Sequence, residues 1–160
     1  MLSSFLVAVM GLALGQGAAT GGCTIASAKY VAVGQPQYRL SFARLGSGSG
    51  TMSDVALHVR SGSGGGEAWY YFDRGSARRV ALVSTNDPTS PGWKAQPDGG
   101  VRPFGSATFI GMSKAGAIAD MVPNSSSAAP DFVVIPELAE TFRGREYAFR
   151  AAAFVLDSCS

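Results

Sequence analysis

From about residue 27 onward, apolar and polar residues tend to alternate one by one, and sustained 3.6-residue stripes are scarce. Alternation with period two is the signature of strands with one covered face. Ser27–Val33 reads as a first strand, broken by Gly34-Gln35-Pro36. Gln37–Leu45 follows, with Tyr38, Leu40 and Phe42 on one face and Arg39, Ser41 and Ala43 on the other. Met52–Arg60 is the third, with Val55, Leu57 and Val59 opposed to Asp54, Ala56, His58 and Arg60. Glu67–Asp73 and Arg78–Thr85 read as a hairpin, Ala107–Met112 and Asp131–Ile135 as short strands, and Glu146–Leu156 as a buried strand with Tyr147, Phe149, Ala151, Ala153 and Val155 on one side. Pro136–Phe142 is the best helical turn, because proline at the first helical position gives up an N–H that would be unpaired anyway.

About eight strands at short spacing, one helical turn and no internal repeat predict an all-β, mainly antiparallel domain. A two-sheet β-sandwich is the natural way to bury them, and a small β-barrel is the alternative. Glycine-rich turns at residues 46–50 and 61–66 separate strands. Neither leads into a patterned helix or ends in Lys-Ser/Thr, so they are spacers rather than phosphate loops. Ser113–Pro130 is small, polar and poorly patterned, and Asn124–Ser127 reads as a mobile loop.

The N-terminus changes the picture. Phe5–Leu14 is an unbroken run without charge, followed by small residues. It is too short to cross a bilayer as a helix and matches the core of a cleavable signal peptide over residues 1–19, cut after Gly15 or Ala19. Residues 20–160 then form a single β-rich exported domain, with no transmembrane segment once the signal is removed. Abundant alanine, glycine and arginine beside few lysines suggest a bacterial source, hence the periplasm or the exterior. The two cysteines, Cys23 and Cys159, bracket that domain. In an oxidising compartment they are expected to join as one disulfide; a lipid anchor on Cys23 is the rival reading.

Charge and chemistry add mostly exclusions. A net charge of +2 with interspersed signs argues against nucleic acid as partner. Nothing calls for a cofactor or metal. His58 is the single histidine; Asp54 on the same face lies about 13 Å along the strand, and Glu67 and Asp73 lie about 20 Å apart, too far for paired acids. His58 therefore reads as a polar-face residue. The aromatics of Glu67–Asp73 are less ordinary. Trp69 and Tyr71 share one face, Tyr70 and Phe72 the other, so either both faces are covered or one pair forms a platform. The stretch Asn86–Gly105, with four prolines, is longer than most structureless loops. Trp93 at its centre either plugs an open end of the sandwich or contacts a ligand beside Asn86, Asp87, Lys94, Asp98 and Arg102. The leading expectation is a non-catalytic binding or envelope-associated module that recognises an envelope protein or glycan through Trp69, Tyr71 and this loop. A hydrolase using Asp87 and Asp98 is one alternative, and a structural or assembly accessory subunit is another.

Overall fold

The computed structural model describes residues 22–62, 66–74, 79–97, 100–144, 149–150 and 152–160. The segment 1–19, expected to be a signal peptide, and Asp98 lie outside the described residues.

Among the described residues eight strands form in chain order: β1 (Ala28–Ala32), β2 (Gln35–Arg44), β3 (Val55–Ser61), β4 (Glu67–Arg74), β5 (Val80–Thr85), β6 (Ser106–Met112), β7 (Phe132–Val134) and β8 (Phe154–Cys159). A short 3-10 turn, Ile25–Ser27, leads into β1, and a single helical turn, α1 (Leu138–Thr141), lies between β7 and β8. Each strand pairs antiparallel with the next, and β1 also pairs with β8, so the sheet closes as an up-and-down barrel. The expected sandwich thus gives way to its alternative. Alternation reports only that each strand has one covered face, which sandwich and barrel share; the β1–β8 pairing decides between them, and it removes the free edges two open sheets would carry.

The inward positions run around the barrel in register. Leu40 lies opposite Tyr30 and Val59, Leu57 opposite Tyr70, Phe72 opposite Leu82, and Phe154 opposite both Ala32 and Val133. An eight-stranded barrel is about wide enough for side chains to fill, and here they do. The Phe72 ring meets Phe109 edge-on at 5.2 Å, and Phe42 lies 6.3 Å from Phe72. Towards the other end, Tyr38 meets Phe142 at 5.3 Å and Phe149 at 5.0 Å. Phe149 and Phe142, with the fully buried Leu138, plug that end beneath α1.

The last predicted strand is corrected by this arrangement. β8 starts at Phe154 rather than 146, and Phe154 rather than Val155 points inward, fully buried. Phe149 is buried because it belongs to the end plug, not to the wall. Tyr147 and Ala151 lie outside the described residues.

The opposite end carries the Cys23–Cys159 disulfide, with Cα atoms 5.7 Å apart. It staples the β1–β8 seam, where Ala28 faces Cys159. The bond fits an oxidising compartment, and it occupies the thiol that a lipid anchor on Cys23 would need. No helix among the described residues is long and apolar enough to cross a membrane.

The connection 113–131 folds across this disulfide end. Its polar run is tied down, contrary to the mobile loop expected at Asn124–Ser127. Ser125 is buried and donates to Asp54 from both its N–H (2.7 Å) and its hydroxyl (2.6 Å). Ser53 donates to the Pro123 carbonyl at 2.6 Å, and the Asn124 side-chain oxygen accepts from the Ser126 N–H at 3.0 Å. Short polar side chains that satisfy nearby backbone groups hold a turn as firmly as they solvate one.

Candidate functional site

Two places on the barrel gather chemistry: the outer wall of β3–β5, where the sequence points, and the disulfide end, where it does not.

On the outer wall, the stretch 86–105 leaves β5 at the plugged end, runs down the barrel to meet the 46–54 connection, and returns to β6. The Ala95 N–H donates to the Ser49 carbonyl at 2.8 Å, and the Phe104 N–H to the Ser84 hydroxyl at 2.9 Å. Trp93 lies against the wall, not in an open end, which Leu138, Phe142 and Phe149 already fill. Its indole N–H donates to the Thr85 hydroxyl at 3.0 Å, and its ring meets Tyr71 edge-on at 5.8 Å. Tyr71 is 5% exposed, and its hydroxyl reaches the Gln96 carbonyl at 3.5 Å. Trp69 and Tyr71 do share the outer face, but Tyr71 is roofed by the strap and Trp69 is half-buried.

Two of the strap's polar residues have partners close by in sequence. The Asp87 carboxylate accepts from the Thr89 N–H (2.9 Å) and hydroxyl (2.6 Å), which hold its pKa below the usual carboxylate range. Arg102 donates to the Ser106 hydroxyl at 3.1 Å. Asn86 and Lys94 are exposed. The structure brings Trp93 and Tyr71 together, and leaves Asn86 and Lys94 apart from any enclosed site.

His58 has a partner that single-strand reasoning misses. The β3–β4 register sets His58 opposite Trp69 and Arg60 opposite Glu67. Glu67 is therefore the diagonal neighbour of His58, and its carboxylate lies 2.8 Å from the imidazole Nε2. The imidazole stacks on Trp69 at 3.6 Å, with rings 4° from parallel. Burial lowers the His58 pKa; the Glu67 hydrogen bond and charge oppose this, and Arg60 adds to it. The short 61–66 connection, which makes the strands neighbours, is the signal that points to this pair. No group of three His, Cys, Asp or Glu side chains among the described residues is placed to hold a metal ion.

The disulfide end holds an apolar cleft of about 380 Å³ between the end of β6 and the connection 113–131. Phe109, Gly111 and Met112 of β6 line one side with Ile25; Ile118, Val122 and Pro130 line the other. Hydrogen bonds hold the wall in place: the Ala119 N–H donates to the Gly111 carbonyl at 2.9 Å, the Ile25 N–H to the Ser127 carbonyl at 2.9 Å, and the Tyr30 hydroxyl to the Pro130 carbonyl at 2.9 Å. A Cβ at Gly111 would come within 3.1 Å of the Pro130 ring and 3.2 Å of the Phe109 ring, so either ring would have to shift to admit one. At the rim, Ile118 is 65% and Met121 77% exposed. Side chains that oily do not normally stand in water next to one another around a hollow. Pattern reading misses the cleft because its wall is not a strand; its one sequence trace is the apolar set Ile118, Met121 and Val122 inside a polar stretch.

No protein-family model, curated protein or solved structure matches the chain.

Proposed function

We propose that the protein is an exported, non-catalytic binding module whose ligand is a small apolar molecule held in the cleft at the disulfide end. One observation carries this reading: an apolar hollow with exposed Ile118 and Met121 at its mouth, beside a barrel interior already filled by side chains. Its volume falls in the range of small-ligand sites, about 300–1,000 Å³, and barrel mouths are among their usual places. The disulfide supports export. The outer wall is the weaker candidate for a glycan or protein partner, since Tyr71 is buried against Trp93 and is not open as a platform. The hydrolase reading has little support, since Asp87 is engaged in its own turn.

Titration with the neutral fluorescent probe N-phenyl-1-naphthylamine tests the proposal. Saturable enhancement is expected, weakened about fivefold to tenfold by Ile118→Ser through lost apolar contact and abolished by Ala117→Trp, which fills the cleft from an exposed position. Trp93→Ala should leave probe affinity unchanged. Absence of saturable binding, or loss with Trp93→Ala alone, would overturn the reading.

A further inference from the structure

A second hollow, of about 620 Å³, adjoins the cleft. Asp120, Met121 and Val122 line both, so the two adjoin along this short ridge. The two differ in chemistry. The first is walled mostly by apolar residues, while the second presents Arg74 at the end of β4 and Arg79 just before β5. Both arginines are exposed, and among the described residues no carboxylate forms an ion pair with either. Among the described residues, Asp120 on the ridge is the one acid lining this hollow.

Resting on the apolar-ligand reading above, we infer that the ligand is an anionic amphiphile: a single hydrocarbon chain in the cleft, with a carboxylate or phosphate head across the Met121 ridge at Arg74 and Arg79. Guanidinium groups suit this task, because they are always charged and present paired N–H donors that match both kinds of head. The exposed ridge supplies the path. Met121, unbranched and flexible, lies under the point where the chain crosses from one hollow to the other. Asp120 sets a limit, because it repels the head and makes the two arginines both necessary.

The test displaces N-phenyl-1-naphthylamine with four competitors below their aggregation concentrations: tetradecanoate, tetradecyl phosphate, tetradecanol and inorganic phosphate. Exposed ion pairs are worth roughly 1.4-fold to fivefold each in affinity. Both anionic chains should therefore compete about twofold to twenty-fivefold better than the alcohol, less so in high salt. Inorganic phosphate at millimolar concentration should not compete. Arg74→Gln with Arg79→Gln should bring both anionic chains to the level of the alcohol while leaving the alcohol unchanged. Asp120→Asn should tighten the anionic chains alone, a gain that misfolding cannot produce. The inference is overturned if alcohol and acid compete equally in the unmodified protein, if the arginine variants weaken both alike, or if inorganic phosphate competes. Failure of the apolar reading looks different: the probe then gives no saturable signal for any competitor to displace.

Discussion

Breaking the Cys23–Cys159 bond perturbs the barrel at the one seam that links its two ends. The cysteines are 136 residues apart in sequence. Closing a loop of that length removes about 5 kcal/mol of chain entropy from the unfolded state, a ceiling that native strain and residual unfolded structure reduce; engineered and natural bonds typically give about 2–4 kcal/mol. The seam does not rest on the bond alone. Five register pairs along it, from Ala28–Cys159 to Ala32–Phe154, remain antiparallel ladder neighbours without it. The Cys23→Ser/Cys159→Ser variant should therefore fold as the same barrel and lose about 2–5 kcal/mol. With a urea slope of about 1–3 kcal/mol per molar, the midpoint falls by roughly 1–2 M, and dithiothreitol should reproduce the shift in the unmodified protein, since Cys159 is exposed. The circular dichroism spectrum should stay that of a β protein. A midpoint moved by less than the equivalent of about 1 kcal/mol, at an unchanged slope, would refute the staple argument.

Other consequences follow from single contacts. Trp93→Ala removes the edge contact with Tyr71 and the bond to Thr85; it should cost about 1–3 kcal/mol and speed hydrogen exchange at the Ala95 amide, whereas unchanged exchange there would mean Trp93 does not hold the strap. The folded-state pKa of His58 lies below its unfolded value of about 6.5, so its contribution is complete above that pH and is lost as pH falls through the lower folded value. His58→Gln should flatten stability against pH between about 7 and 5, and an unchanged slope in urea titrations would contradict the burial argument. Asp54, held low by Ser125, acts with the same sign at more acid pH: its contribution is complete above the unfolded carboxylate value of about 3.9 and is lost below it. Asp54→Asn should release the Ser125 amide to exchange at neutral pH, and continued protection would show that another contact holds the connection.

What could be read from the sequence was local. Tyr38, Leu40 and Phe42 alternate inward as predicted, as do Val55, Leu57 and Val59, because one covered face per strand is a property of each segment. The pairing of Cys23 with Cys159 was legible because only two cysteines exist. Closure was legible only as the barrel alternative, since the β1–β8 pairing depends on residues over a hundred positions apart. The partner of His58 was not legible, since it lies across a register set by a glycine-rich connection. Phe149 shows the same limit from the other side. Its place in an alternating run reads as wall, but its neighbours Tyr38 and Phe142 make it part of the plug. The cleft was invisible for a further reason. It is a gap between a strand end and an irregular connection, and periodicity describes surfaces that are covered, not spaces between them.

Methyl-resolved NMR during titration with tetradecanol addresses the site most directly. Shifts confined to Met112, Ile118, Met121 and Val122, with Leu57 and Leu82 of the filled interior unmoved, are the predicted result. Shifts centred on the interior leucines or on the Trp93 indole, or none at saturation, would contradict an apolar ligand seated at the disulfide end.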